Sequence, residues 1–186
     1  KVIEVCQNII DIDVSFYYAY NRIGLCHIRL ENEEQAIGFF KTSIKVKPDY
    51  LEGLTNYGFA LQKLKNYSLA AVQFEKVLSL DSRNVEAFVN LTKVYFEDGH
   101  ILKSIEVARQ GLLYRPKNVP ILKNLISSLS ILSNFVRSYS IIFSSGIPVH
   151  LDTTDAISSS ETVVFNILSK LSVLEMLFSK LGIIWY

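Results

Sequence analysis

The chain has 186 residues, which suits one ordinary domain or one short repeat array. Apolar residues make up 49% of it and charged residues 20%, a balance that excludes a disordered chain as a class. The 19 basic and 18 acidic residues leave a net charge of +1, so nothing indicates the clustered basic face that nucleic-acid binding needs. Only 4 prolines and 8 glycines are present, which favours helices over an all-β fold.

Residues 1–14 begin the chain. The first residue is Lys1, and the sequence starts as if inside a helix. We therefore expect the chain to be a fragment of a longer protein, and we draw nothing from the missing signal peptide.

An internal period of 34 residues organises residues 17–118. Pro48 and Pro116 lie 68 residues apart, which is twice 34. Aligning the chain on that period puts similar side chains in register, and regular repeats of this length indicate stacked helical units. The aligned columns are Tyr20, Leu54, Phe88 and Leu122; Gly24 and Gly58; Ala36, Ala70, Ser104 and Ser138; and Phe40, Phe74 and Ala108.

Each unit reads as two amphipathic helices, because its apolar residues recur every three or four positions on either side of a break. The breaks fall at Glu31-Asn32, Lys65-Asn66, Asp98-Gly99 and Ser133-Asn134. The predicted helix pairs are 17–30 and 33–46, 51–64 and 67–80, 85–97 and 101–114, and 119–132 and 135–145.

The columns predict how the helices pack. A glycine or alanine lets two helix backbones approach closely, and an aromatic ring fills the space beside it. One hairpin cannot bury its apolar face alone, so stacking on the next hairpin completes the core. The residues expected to form this packing are Tyr20, Gly24, Ala36, Phe40, Gly58, Ala70, Phe74, Phe88 and Tyr95.

This pattern of a large residue, Leu-Gly, Ala-x-x-x-Phe and Pro resembles the tetratricopeptide repeat. The resemblance implies an all-α fold, a right-handed solenoid of antiparallel helix hairpins with a C-terminal capping helix. Unit three has Thr92 in the glycine column, and unit four keeps little of the pattern. The expected domains are 1–14 as the second helix of a truncated preceding repeat; hairpins 17–50, 51–84, 85–118 and a degenerate 119–147 within 15–147; and a loop with an apolar helix over 148–186.

The tail is predicted to contain a second kind of helix. Ser158 and Glu161 have the spacing of a capping box, and apolar residues recur every seven positions over Val163–Trp185. Three interpretations stay open: a cap on the last hairpin, a self-association helix, or a helix that folds into the protein's own groove. Caps normally present a polar outer face, and this helix is apolar on more than one side.

The resemblance also implies a binding groove lined by the first helix of each hairpin. Asn56, Asn90 and Asn124 share one repeat position there, and an asparagine amide can pair with both halves of a peptide unit. The alternative is that these amides only bond neighbouring helices. The family's carboxylate clamp is not expected, because Glu86 stands where a lysine is required. The candidate peptide-binding residues are Asn21, Asn56, Phe59, Lys63, Asn90, Lys93 and Asn124.

No catalytic, metal-binding or cofactor motif is recognisable. The sequence therefore predicts a non-catalytic scaffold for a protein or peptide partner, without a cofactor, metal, nucleic acid or membrane span. Alternatives are an oligomerisation element that uses Val163–Trp185, or the repeat region of a larger enzyme such as a glycosyltransferase. Cys6 and Cys26 lack a paired-motif spacing and suit a reducing compartment, so we expect a cytoplasmic protein.

Overall fold

The computed structural model describes the backbone of residues 1–144 and the side chains of residues 1–134. This part of the chain is all helical, and consecutive helices pack against each other in order from α1 to α7. The first 138 residues form one compact unit. The helices are α1 Val2–Ile12, α2 Tyr17–Arg29, α3 Glu33–Val46, α4 Leu51–Lys63, α5 Tyr67–Leu80, α6 Val85–Glu97, α7 Ile101–Tyr114 and α8 Val119–Ser144.

The turns inside the first three hairpins repeat with the same period. Glu31, Lys65 and Gly99 each adopt a positive φ, of 58°, 59° and 77°. The next residue in each turn donates its backbone N–H to a carbonyl five positions earlier, as Asn32 does to His27 at 2.9 Å. This pattern is a Schellman turn, which satisfies carbonyls at the end of a helix and reverses the chain. The predicted breaks in units one to three are confirmed.

The small-residue columns lie inside the hairpins. A Cβ atom on Gly24 would come within 2.6 Å of the Phe40 ring, and one on Gly58 within 2.8 Å of the Phe74 ring. Ala36, Phe40, Ala70 and Phe74 are fully buried. The predicted close approach of paired helices is confirmed, because any side chain larger than hydrogen at these glycines would overlap the ring.

Unit three achieves the same approach with different residues. Thr92 occupies the glycine column and is fully buried, and its hydroxyl donates to the Phe88 carbonyl at 2.7 Å. The glycine lies instead on the second helix of the unit. A Cβ atom on Gly111 would lie 2.8 Å from both Phe88 and Ile121. The glycine has therefore moved from α6 to α7, where Gly111 approaches both Phe88 of α6 and Ile121 of α8.

Unit four is not a hairpin. Helix α8 runs without interruption from Val119 to Ser144, so the break expected at Ser133-Asn134 is wrong. The hydroxyl of Ser133 donates to the Ser130 carbonyl at 2.9 Å, as a serine within a helix can. The alanine and phenylalanine columns read Ser138 and Ile142 here.

Helix α1 occupies the place of a second helix before the first hairpin. Its buried residues Cys6 and Ile10 pack against Ala19 and Ile23 of α2. The predicted loop and tail helix over 148–186, including Val163–Trp185, lie outside the described residues. Within the residues that are described, no helix has the length and apolar character needed to cross a membrane.

Candidate functional site

The first helices of the hairpins are neighbours in space. Helix α4 contacts both α2 and α6, in addition to its contacts with the second helices. The predicted binding residues lie on these three helices, except for Asn124, which lies on α8. We call Asn56, Asn90 and Asn124 the asparagine column.

Asn56 is tied to the preceding unit by a polar network. Its Nδ2 donates to the Oδ1 of Asn21 at 3.0 Å. The Nδ2 of Asn21 donates in turn to the Tyr50 hydroxyl and to Oε1 of Glu52, both at 3.1 Å. The Tyr50 hydroxyl donates to Oε2 of Glu52 at 2.8 Å. The network therefore bonds α2 to the start of α4.

Asn21 has a structural role that differs from the predicted one. Its side chain is 0% exposed, and both amide N–H groups and the amide oxygen are bonded within the fold. A ligand on the surface cannot reach it, so the expectation that Asn21 contacts a peptide is corrected. The repeat alignment places it one position before the asparagine column, on the side of α2 that faces α4.

The other two asparagines differ from Asn56. Asn124 is half-buried, and its Nδ2 lies 3.4 Å from the Val89 carbonyl, a long hydrogen bond that joins α8 to α6. Asn90 is half-buried, and its amide bonds to nothing in the described part of the chain. One side-chain amide N–H of Asn56 and one of Asn124 are therefore bonded within the fold. The remaining donors and acceptors are open to a ligand.

Phe59 lies one turn and Lys63 two turns beyond Asn56 along α4. The Phe59 side chain is 40% exposed, and Nζ of Lys63 lies 5.9 Å from its ring centroid. Lys63 also pairs with Glu33 at 3.7 Å. The Lys63 side chain is 43% exposed against 18% for Glu33, and an ammonium has three donors, so Lys63 can also pair with an acidic group on a ligand. The ring offers an apolar contact next to a cation.

Lys93 lies in a second charged group on α6. Its Nζ is 3.8 Å from Glu97, and Glu97 also accepts a 2.8 Å hydrogen bond from the buried Gln62 of α4. Lys93 is exposed, and Glu97 is held against α4. The surface between α4 and α6 therefore carries both signs of charge close together.

Sequence inspection missed Tyr50 and Glu52 as members of the site. Tyr50 caps the hairpin junction, with its ring edge-on to Tyr17 at a centroid distance of 4.8 Å. A Cβ atom on Gly53 would lie 2.5 Å from the Tyr50 ring, so that glycine makes room for it. Burial and the bond to Glu52 raise the pKa of Tyr50, which keeps its hydroxyl protonated. Glu52 is four residues before Asn56 on α4, a helical spacing that could have drawn attention to the pair.

No candidate metal site emerges from the described residues, since no cluster of three or more His, Cys, Asp or Glu side chains is placed to hold an ion. His27 is stacked on Phe39 at 5.3 Å, and its buried Nδ1 has no hydrogen-bond partner among these residues. It is part of the packing and lies apart from the asparagine column.

The fold and the repeated surface define a class, the helical solenoids built from paired helices. Residues 17–50 and 51–84 match the family described as the tetratricopeptide repeat. Residues 17–84 therefore carry two tetratricopeptide repeats, and solved structures of similar fold include tetratricopeptide domains.

Among these neighbours is MamA, with a TM-score of 0.65 and 16% identity over 69% of this chain and 75% of that one. Another is the first such domain of Spaghetti (RPAP3) bound to the HSP90 peptide SRMEEVD, with a TM-score of 0.59 and 15% identity over 63% of this chain and 95% of that one. At these identities the likeness concerns the fold alone.

One curated relative is the human (Homo sapiens) protein O-mannosyl-transferase TMTC3. It is 28% identical over 128 residues, which cover 65% of this chain and 14% of that protein. The chain spans between 11% and 24% of the length of the curated relatives it matches.

Proposed function

We propose that this chain is a binding scaffold that holds an extended segment of a partner protein along the asparagine column. The observation that carries the proposal is the unused hydrogen-bonding capacity of Asn56, Asn90 and Asn124 on the neighbouring helices α4, α6 and α8. An extended peptide presents one N–H and one C=O per residue, and a half-buried amide can pair with either. Such contacts are largely independent of the partner's sequence.

Phe59 and the neighbouring lysines would add preference to that contact. An exposed aromatic ring beside a half-buried polar row is a typical anchor for an apolar side chain, and such anchors contribute most of the energy of an interface. Lys63 and Lys93 favour acidic residues next to the anchor. The solved relative that binds an HSP90 peptide supports this kind of use for the fold. The sequence predicts a different grip, since the chain lacks the lysine of the carboxylate clamp.

The proposal is tested by selecting random 12-residue peptides on the immobilised chain and measuring their affinity by calorimetry. Asn56→Ala/Asn90→Ala should weaken binding by about tenfold or more, since each lost hydrogen bond contributes about 1 kcal/mol. Asn8→Ala is the matched control, because Asn8 is exposed on α1 away from the column. If a folded double variant bound peptides as tightly as the control, binding along the asparagine column would be contradicted.

A second candidate function is the repeat region of a larger enzyme. The similarity to an O-mannosyl-transferase over 128 residues favours it. On this interpretation the described residues would still bind and not catalyse, and the sequence adjoining Lys1 would contain a catalytic domain. Sequencing the complete transcript tests it, and a full-length protein without such a domain would end the idea.

Two further predictions concern assembly and place. Self-association through Val163–Trp185 predicts a dimer by light scattering, and a monomer at high concentration would rule it out.

The cytoplasm remains the predicted location, and microscopy of a tagged full-length protein tests it.

A further inference from the structure

The donor-to-acceptor direction of the hydrogen bonds around Asn21 is set by the carboxylate of Glu52. A carboxylate can only accept hydrogen bonds, whereas an asparagine amide presents a donor on one side and an acceptor on the other. Because Glu52 accepts from Asn21, the Nδ2 of Asn21 must face Glu52 and its Oδ1 must face away. That Oδ1 meets Asn56, which must then turn its own Nδ2 inward.

We infer that Glu52, acting through Asn21, fixes the amide of Asn56 so that its carbonyl oxygen is presented to the ligand. Asn56 then accepts a hydrogen bond from a backbone N–H of the bound segment. Glu52 and Asn21 are positioning residues, since neither touches the ligand. This inference rests on the proposed function only for the identity of the ligand group.

Two features fix the direction of the hydrogen bonds between Glu52, Asn21 and Asn56. Asn21 is completely buried, so it cannot exchange a protein partner for water if its amide is reversed. Tyr50 accepts from Asn21 and donates to the second oxygen of Glu52, which holds the carboxylate in place. Reversing Asn21 against an intact carboxylate would place its Oδ1 against Oε1 of Glu52, two acceptors face to face.

The inference predicts rescue between two substitutions. Asn56→Asp puts an acceptor-only group against the Oδ1 of Asn21, and Asn21 cannot reverse while Glu52 is present. Glu52→Gln supplies a donor and lets Asn21 reverse. We expect Asn56→Asp to lower the Tm of the full chain by roughly 3–10 °C and Glu52→Gln by less than about 3 °C. The double variant should recover at least about half of the loss caused by Asn56→Asp.

Direct repulsion between Glu52 and Asp at position 56 would also give rescue, because the two positions are four apart on α4. Measuring the four proteins in 1 M salt separates the two causes, since the Debye length there is about 3 Å. Repeating the cycle in an Asn21→Leu background gives a second control, because that background keeps the two charges and removes the connecting amide. The inference requires rescue that persists in salt and disappears without Asn21. Additive Tm losses in 1 M salt, or rescue that survives in the Asn21→Leu background, would overturn it.

The ligand group is tested with a peptide selected on the wild-type chain and its single amide-to-ester analogues, each of which lacks one backbone N–H. One ester should weaken binding about three- to tenfold, and that penalty should shrink in Glu52→Gln. Uniform binding of all esters would contradict the assignment of Asn56 as an acceptor. The Tm cycle uses no ligand, so failure to select any peptide would count against the proposed function and leave the effect of Glu52 to be decided by the cycle.

Discussion

Units one and two differ from unit three in how the paired helices come together. In the first two units a glycine on the first helix faces a buried phenylalanine on the second, as Gly58 does Phe74. In unit three the glycine column holds Thr92, and the close approach has moved to Gly111, against Phe88 and Ile121. The comparison teaches that the fold conserves a tight contact between neighbouring helices, while the residue that provides it can change helix.

The largest loss of stability should come from removing the phenylalanine ring that packs against a glycine. Phe74→Ala removes a fully buried ring, and such truncations cost about 3–5 kcal/mol. Urea unfolding followed by circular dichroism measures the loss. Phe59→Ala is the matched control, because Phe59 is 40% exposed and should cost far less. Similar losses for the two variants would mean that the ring of Phe74 does not support the hairpin.

A smaller effect is expected from filling the glycine side of the same pair. Gly58→Ala places a Cβ atom 2.8 Å from the Phe74 ring. Overpacking of this kind costs about 1–3 kcal/mol, and alanine's helix propensity returns about 1 kcal/mol of that. We expect a net destabilisation in urea unfolding. Combined with Phe74→Ala, the two losses should be less than additive, because the smaller residue removes the clash. Strictly additive free-energy losses would mean that Gly58 and Phe74 do not interact.

Unit three should respond to the loss of a polar contact. The Ser104 hydroxyl donates to the Thr92 carbonyl at 2.9 Å and lies 2.9 Å from the Ser128 hydroxyl, linking α7 to α6 and α8. Ser104→Ala restores the family's alanine but removes both bonds, and we expect a loss of about 1 kcal/mol. An unchanged urea midpoint would show that the alanine column tolerates either residue.

The smallest effect has the opposite sign. Gly38 is exposed inside α3, and a Cβ atom there meets nothing within 4 Å. Gly38→Ala should therefore stabilise the chain by about 0.5–1 kcal/mol through the reduced freedom of the unfolded state. Both substitutions raise helix propensity, but only Gly58→Ala adds a clash, so the difference between their stabilities measures the packing effect. Destabilisation of both variants would contradict the distinction between the two glycines.

The sequence predicted most of the fold because its columns report directly on burial. Gly24 with Phe40 and Gly58 with Phe74 could be identified from spacing alone, and the first three breaks followed. The fourth break could not be judged from Ser133, because a serine hydroxyl can bond to a carbonyl within a helix as well as in a turn, and Ser133 bonds to Ser130 within α8.

The candidate site was predicted less well than the fold. The asparagine column was visible because its members share one repeat position. The burial of Asn21 and its bonds to Tyr50 and Glu52 depend on how α2 meets the start of α4, which no single-helix pattern encodes. Hydrogen-bond direction is a property of the assembled network, and it becomes visible only when both ends are placed.

The most direct test of the groove is to map a selected peptide on the isotopically labelled chain by nuclear magnetic resonance. Binding along the asparagine column predicts that the side-chain amides of Asn56 and Asn90 and the ring of Phe59 shift together on titration. Leu69 and Leu102, exposed on α5 and α7, should stay unchanged. Shifts confined to those two leucines, with the asparagine amides unmoved, would contradict the account.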